Sequence, residues 1–176
     1  MQPQHELTVP SEWVCRFASL IPASGKVLDV ACGAGRHARL LAELGHRVEA
    51  VDGDESSLRS LHGVAGVSAR LADLEGGPWP YARGEFAGII VCNYLHRPLF
   101  PKMLEALEEE GVLIYETFAV GNERFGKPSN PHFLLKPGEL LEVVRGHLRV
   151  IAYEDVYVDH PKPAMVQRIC AKRGNV

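Results

Sequence analysis

The sequence predicts an α/β fold in which a mostly parallel sheet carries helices on both faces. Apolar, strand-like runs alternate with amphipathic segments, which is the pattern of parallel strands joined by crossover helices. A glycine turn follows the first run, and a carboxylate ends the second. The predicted strands cover residues 26–31, 47–51, 66–71, 86–92, 112–118, 147–158 and 164–172.

The predicted helices take their bounds from apolar spacing and from turn residues. The first covers 11–20 and places Trp13, Phe17 and Leu20 on one face. The second covers about 36–44 and stops at Gly45. One side of this helix is formed by His37, Leu40, Leu41 and Leu44. Three more helices are expected at about 55–62, 98–109 and 138–145.

No internal repeat or linker divides the chain. Residues 1–9 are polar and are expected to be flexible, and residues 10–176 are expected to form a single domain. A chain of 176 residues is long enough to build one hydrophobic core. Residues 119–136 form the longest irregular segment in this prediction.

Composition excludes several classes of protein. A net charge of −3 argues against a surface that coats nucleic acid. No apolar run reaches membrane-spanning length and no secretory signal pattern opens the sequence, so we expect a cytoplasmic protein without a membrane partner. The four cysteines are widely spaced and form no C-x-x-C pair, so neither a metal site nor a disulfide framework is expected.

The clearest functional signal is the strand–turn–helix–strand unit at residues 26–52. The chain passes from an apolar strand through Gly33-Ala34-Gly35 and a helix to a second strand, which Asp52 follows. Glycines let the backbone approach a ligand closely, and a carboxylate about twenty residues on accepts ribose hydroxyls. The unit therefore predicts a site for an adenosine-bearing cofactor. It also satisfies the loose dinucleotide pattern G-x-G-x-x-A, so the glycines alone do not identify the cofactor.

Asp29 argues against a dinucleotide as the cofactor. It lies inside the apolar strand, four residues before the first glycine, where a dinucleotide fold has no use for a charge that is costly to bury. An acid here can organise the turn and meet an amino group on the ligand. With this acid, the sequence resembles the class I S-adenosylmethionine (SAM)-dependent methyltransferases, whose first motif is a hydrophobic run, an acid, a small residue and G-x-G. The resemblance extends from about residue 10 to the end of the chain.

The resemblance implies a Rossmann-like fold with a seven-stranded, mostly parallel sheet, helices on both faces and an antiparallel last strand. It also implies S-adenosyl-L-methionine as the cofactor. Asp52 would accept both ribose hydroxyls, Asp73 would meet the adenine amino group, and Asn93 would lie beside the sulfonium. The full set of expected cofactor residues is Asp29, Ala31, Gly33, Gly35, His37, Asp52, Gly53, Ala72, Asp73, Leu74 and Asn93.

Three of these residues have competing interpretations. Asp52 could be a solvated acid at the end of its strand. His37, early in the second helix, could reach the carboxylate of the cofactor or could be a core or surface histidine. Asp73 could be a plain loop acid.

The sequence departs from the family pattern at several positions. Ala31 stands where the family often has glycine, and its methyl group is tolerable if φ is negative there. Ala87 replaces a common acid, a change that we expect to affect packing order rather than chemistry. The segment Asn93-Tyr94-Leu95-His96 is not the Asn/Asp-Pro-Pro-aromatic signature of enzymes that methylate amide or base nitrogens. The chain therefore looks more like the small-molecule and tellurite-resistance-type branch.

The expected reaction is an in-line displacement at the methyl carbon. Proximity alone can contribute roughly 7–11 kcal/mol to such a step, and a base is needed only if the acceptor arrives protonated. Tyr94 and His96 are the predicted catalytic residues, with His96 preferred as the base because a free imidazole titrates near neutrality. A non-catalytic SAM-binding module and an NAD-dependent oxidoreductase are the alternative functions.

The loops after strands 4, 5 and 6 indicate the charge of the acceptor. They should share one edge of the sheet and carry more basic residues than acidic ones, which would attract a small anionic molecule. The basic residues are His96, Arg97, Arg124, Lys127, His132, His160 and Lys162, against Glu123 and Asp159. Ordinary solvated loop charges are the competing interpretation. Nucleic acid is not an expected partner, and the oligomeric state is left open.

Overall fold

The computed structural model describes residues 8–174, and within them one sheet of seven strands forms the centre of the fold. The strands are β1 Lys26–Val30, β2 Arg47–Asp52, β3 Val67–Leu71, β4 Phe86–Cys92, β5 Leu107–Phe118, β6 Arg149–Val158 and β7 Ala164–Lys172. Their order across the sheet is β3-β2-β1-β4-β5-β7-β6. β7 is antiparallel to both of its neighbours, and the other pairs are parallel. The predicted fold class is confirmed.

Helices cover both faces of the sheet. They are α1 Glu12–Phe17, α2 Arg36–Glu43, α3 Glu55–Arg59, α4 Phe100–Ala106 and α5 Glu139–Val144. Neighbouring residues of the central strands belong to two different apolar clusters, as Val27 and Leu28 do in β1. Because side chains alternate along a strand, these clusters lie on opposite faces. All five predicted helices are present, each with shorter bounds than predicted.

Two of the predicted helices change to another conformation within their predicted bounds. The first is α-helical only to Phe17 and continues as a 3₁₀ turn over Ala18–Leu20. The segment predicted as a helix over 98–109 begins with a 3₁₀ turn at Arg97–Leu99, becomes α4, and gives way to β5 at Leu107. Leu107 pairs with Phe86 of β4. This pairing overrides the helical tendency of the glutamates that follow Leu107.

Leu44 is another difference from the prediction. It lies past the end of α2 and is 54% exposed, so it does not belong to the buried side of that helix. The buried residues of α2 are His37, Ala38 and Leu41.

Residues 1–9 are expected to be flexible, and residues 1–7 of this segment lie outside the described residues. Val9 is described, and its carbonyl oxygen accepts a hydrogen bond from Arg36 at 2.8 Å. Among residues 8–174, no helix combines the length and the apolar character that crossing a bilayer requires.

Candidate functional site

The turn after β1 brings backbone, rather than side chains, to the carboxyl edge of the sheet. Gly33 and Gly35 have φ values of 56° and 81°, a conformation that glycine adopts without steric cost. A Cβ on Gly33 would meet nothing within 4 Å, whereas a Cβ on Gly35 would collide with the side chain of Leu61. Gly33 therefore leaves open space for a ligand, and Gly35 lets the turn pack against the protein.

Ala31, directly after β1, also has a positive φ, of 51°. The condition under which the methyl group would be tolerated without strain, a negative φ, is therefore not met. A left-handed conformation costs a non-glycine residue roughly 1–2 kcal/mol. The strained residue lies at the cavity described next, which is where backbone strain tends to be found in proteins with a functional site.

A cavity of about 330 Å³ opens at this edge, where the sheet order reverses between β1 and β4. Its volume falls at the lower end of the roughly 300–1,000 Å³ that ligand pockets occupy. The loops after β1, β2, β3 and β4 contribute its lining residues, which are Ala31, Asp52, Gly53, Ala72, Asp73, Leu74, Glu75, Asn93 and Tyr94. All but Glu75 are residues that the sequence points to. Asp29, Gly33, Gly35, His37 and His96 are expected site residues that do not line the cavity.

Two backbone amides fix the carboxylate of Asp52. Its Oδ2 accepts a hydrogen bond from the Gly33 amide at 2.8 Å, and its Oδ1 accepts one from the Asp54 amide at 2.9 Å. Each carboxylate oxygen has further capacity to accept a hydrogen bond. The Asp52 carboxylate is thus held in one orientation at the cavity wall.

Asp73 organises the turn after β3. Its Oδ1 accepts hydrogen bonds from the backbone amides of Gly76, at 2.9 Å, and Glu75, at 3.0 Å. These two bonds lower the pKa of Asp73. A Cβ on Gly77 would lie 2.6 Å from the backbone oxygen of Asp73, so the turn needs glycine there. The loop-acid interpretation therefore describes part of what Asp73 does, and Asp73 also lines the cavity.

The loop after β4 presents Asn93 and Tyr94. Asn93 has a φ of 56°, which asparagine tolerates better than most residues. The carbonyl oxygen of Tyr94 accepts a hydrogen bond from the Tyr115 hydroxyl at 2.7 Å, and the Tyr94 hydroxyl donates to Glu75 at 3.1 Å. Burial, followed by the charge of Glu75, raises the pKa of Tyr94. A phenol that holds its proton in this way can contact an acceptor but is poorly suited to act as a base.

Asp29 lies behind the turn, and only 2% of its surface is exposed. One part of its carboxyl group accepts the backbone amide of Ala38 in α2, while Oδ2 has no hydrogen-bond partner among the described residues. Burial raises the pKa of Asp29 to about 7, against the effects of the Ala38 amide and Arg36. A buried oxygen without a partner is costly, and an amino group of a ligand would supply one.

His37 contacts the N-terminal segment. Its Nε2 accepts a hydrogen bond from the backbone amide of Ser11 at 2.9 Å, and the Ser11 hydroxyl donates to Glu116 at 2.7 Å. Burial lowers the pKa of His37 to about 3, so the ring is neutral. This placement favours the core-histidine interpretation over direct contact with the carboxylate of a cofactor.

His96 lies close to the rim of the cavity. It is half-buried at the start of the turn that leads into α4, and its charge is one of the causes that lower the pKa of Asp73. Within residues 8–174, no group of three or more His, Cys, Asp or Glu side chains is arranged to hold a metal ion.

Arg97 does not contribute a charge to the open edge of the sheet, so this part of the sequence prediction is wrong. Its guanidinium group binds the Glu139 carboxylate through Nε at 2.6 Å and Nη2 at 3.1 Å. It also donates to the backbone oxygens of His132 and Leu134, at 2.8 and 3.0 Å. Arg97 therefore ties the irregular segment 119–136 to the first turn of α5.

The β6–β7 hairpin reaches the same edge as the ends of the parallel strands. Val166 of β7 pairs with Phe118, the last residue of β5. The hairpin brings Lys162 to 6.0 Å from the centroid of the Phe118 ring, and Arg124 lies 5.8 Å from that of Phe125. Cations and aromatic rings thus occur together near the carboxyl end of β5.

This geometry accords with the similarity of the chain to known proteins. Residues 27–111, slightly less than half of the chain, match the family model of a methyltransferase domain. YqeM of Bacillus subtilis (strain 168), a protein named as a candidate methyltransferase, is 26% identical over 116 residues, which cover 60% of this chain and 47% of YqeM. The chain therefore spans about half of the length of this curated relative.

Solved structures show the same fold. TehB from Haemophilus influenzae superposes with a TM-score of 0.79 at 19% identity, over 94% of this chain and 63% of TehB. An S-adenosylmethionine-dependent methyltransferase from Mesorhizobium loti gives a TM-score of 0.72 at 18% identity, over 95% of this chain and 100% of that protein. Residues 27–111 thus resemble a methyltransferase domain, and the chain has the class I SAM-dependent methyltransferase fold, so the resemblance expected from the sequence is confirmed.

Proposed function

We propose that this chain binds S-adenosyl-L-methionine in the cavity and transfers its methyl group to a small anionic acceptor. The observation that carries the proposal is the Asp52 carboxylate, which two backbone amides hold at the cavity wall. Gly33 leaves open space beside it, and Asp29 offers a buried oxygen without a partner. These features fit a ligand that carries ribose hydroxyls and an amino group.

The residues around the cavity would have distinct roles in binding SAM and in methyl transfer. When bound, SAM supplies a methyl group on a positively charged sulfur that a nucleophile can displace. Asp52 would hold the ribose, and the loops that carry Asp73 and Tyr94 would orient the cofactor and keep water out. Holding the reacting atoms close together can contribute roughly 7–11 kcal/mol. His96, at the rim, would accept a proton from acceptors that arrive protonated.

The acceptor would bind beside the cavity, at the ends of β5 and β6. The cavity is small, and the neighbouring edge carries cations next to aromatic rings. Phe125 and Tyr157 lie 5.2 Å apart between their ring centroids, and Arg124 lies beside Phe125. Within the described residues neither Arg124 nor Lys162 forms an ion pair. This surface suits an acceptor that combines an anionic group with an apolar part.

Calorimetry with SAM tests the cofactor assignment. We expect micromolar binding by the wild-type chain and a weakening of about thirty- to several-hundred-fold in Asp52→Ala, because hydrogen bonds to a charged acceptor are lost. Asp54→Ala is the matched control, since Asp54 caps α3 through Ser56 and Ser57 and does not line the cavity. Wild-type affinity in Asp52→Ala would remove Asp52 from the site.

Two further measurements separate the alternatives. NAD should show no binding in the same titration, and binding would favour an oxidoreductase. Transfer of a labelled methyl group from SAM to a panel of small acceptors should occur. SAM binding without turnover on any acceptor would favour a non-catalytic SAM-binding module.

A further inference from the structure

We propose that Glu75 and Tyr94 form a clasp over the cavity, and that Glu75 is a positioning residue that holds the Tyr94 ring in place. Both residues line the cavity, and the Tyr94 hydroxyl donates a hydrogen bond to the Glu75 carboxylate at 3.1 Å. The clasp must open for a cofactor to enter or leave. This inference rests on the proposed function, because it takes the cavity to be the cofactor site.

The strand order shows that this hydrogen bond spans the cavity. Glu75 follows β3 and Tyr94 follows β4, and β2 and β1 lie between these two strands. Neighbouring strands are about 4.8 Å apart, so the two loops start from strands separated by roughly 14 Å. Ala31 and Asp52, at the ends of the intervening strands, line the cavity between them. The bond therefore joins opposite walls above the strand ends.

Both ends of the clasp are fixed in position by other contacts. On one side, Asp73 accepts the backbone amides of Glu75 and Gly76 and so holds the turn that carries Glu75. On the other side, the buried Tyr115 donates its hydroxyl to the Tyr94 carbonyl at 2.7 Å. Because both backbones are held, the hydrogen bond forms at little entropic cost. It can break by side-chain rotation alone.

Four variants test the clasp through the rate at which labelled SAM dissociates into excess unlabelled SAM. Tyr94→Phe and Glu75→Ala remove the hydrogen bond and should raise the dissociation rate about three- to tenfold. Glu75→Gln keeps an acceptor oxygen and should restore most of the wild-type rate. The double variant Tyr94→Phe/Glu75→Ala should dissociate no faster than either single variant, because both remove the same interaction.

Tyr81→Phe is the matched control. The Tyr81 hydroxyl also donates to a glutamate, Glu49, at 3.3 Å, but neither residue lines the cavity. Its removal should leave SAM dissociation unchanged. The clasp is overturned if Tyr94→Phe and Glu75→Ala release SAM at the wild-type rate, or if their effects add fully in the double variant.

A measurement without cofactor separates the clasp from the proposed function. Burial raises the pKa of Tyr94 most, and Glu75 raises it further through its charge and its hydrogen bond. In ring-labelled protein followed by NMR, Glu75→Ala should therefore lower the Tyr94 pKa, while Tyr81→Phe should not change it. If the wild-type chain binds no SAM, the proposed function fails. If Glu75→Ala leaves the Tyr94 pKa unchanged in the free protein, the clasp fails independently.

Discussion

At the scale of single residues, the cavity is bordered by backbone that is strained. Ala31 and Asn93 both have positive φ and both line the cavity, on the loops after β1 and β4. Conformations of this kind persist only where the surrounding structure imposes them. Here the surroundings are two strands at the centre of the sheet, with the Asn93 amide bound to the Glu116 carbonyl at 2.9 Å. The strain therefore belongs to the geometry of the site rather than to a flexible loop.

Ala31→Gly should stabilise the protein. Relief of the left-handed strain gains roughly 1–2 kcal/mol, and the added freedom of the unfolded chain costs roughly 0.4–1 kcal/mol. We expect a net gain of about 0.5–1 kcal/mol in the free energy of unfolding by urea titration. Ala72→Gly is the control, because Ala72 lines the same cavity without a positive φ. It should be destabilising, and equal effects at the two positions would show that Ala31 is not strained.

At the scale of elements, the predicted bounds 86–92 and 164–172 are those of β4 and β7. β4 is a continuous apolar run, which leaves little choice of bounds, and turn residues with two prolines precede β7. The predicted boundary between α4 and β5 is wrong, because Leu107 pairs with Phe86, a residue distant in sequence. A pairing of this kind is not visible in a local pattern.

Asp29 ties two elements together, because it lies in β1 and its carboxyl group accepts the Ala38 amide of α2. Burial raises its pKa from 3.8 to about 7. Below pH ~4 the carboxyl is protonated in both the folded and the unfolded chain. Between about pH 4 and 7 only the unfolded chain ionises, so this contribution to stability falls as the pH rises. One pKa unit corresponds to about 1.4 kcal/mol, so the loss amounts to a few kcal/mol.

Asp29→Asn removes this titration. Relative to the wild type, the variant should become more stable as the pH rises from about 4 to 7, which urea titrations at several pH values would measure. Asp54→Asn serves as the control, because hydrogen bonds from Ser57 and Ser56 lower the pKa of Asp54 to about 2. The contribution of the Asp54 carboxylate to the free energy of unfolding is lost as the pH falls, which is the direction opposite to that for Asp29. Parallel stability curves for wild type and Asp29→Asn would mean that Asp29 ionises normally in the folded protein.

At the scale of the whole molecule, the topology explains which site residues could be found from sequence. Parallel strands end at one edge, so Asp52, Asp73 and Asn93 could be placed together from the strand pattern alone. The contacts of Glu75 and Arg97 could not be predicted in this way. The role of Glu75 depends on Tyr94, and the role of Arg97 depends on Glu139, in each case a partner on another loop or helix. Side-chain pairing of this kind has no signature in spacing.

At the scale of the whole molecule, basic residues collect around the ends of β5 and β6. The chain as a whole carries −3, whereas Arg124, Lys127 and Lys162 lie on the loops around the ends of β5 and β6. Arg124 and Lys162 lie beside aromatic rings, and Lys127 contacts Ser129 at 3.2 Å. Such a local excess raises the encounter rate of an anion and acts most strongly at low salt.

Arg124→Glu and Lys127→Glu should therefore weaken capture of the acceptor without changing the affinity for SAM. We expect kcat/KM for an anionic acceptor to fall roughly three- to tenfold at low ionic strength, with a smaller loss at physiological salt. Arg47→Glu is the control, since Arg47 is exposed at the start of β2, on the opposite edge of the sheet. It makes the same charge change away from the site and should leave kcat/KM nearly unchanged. Equal losses in the three variants would reduce the effect to net charge, and a preference for neutral or cationic acceptors in the wild type would contradict an anionic substrate.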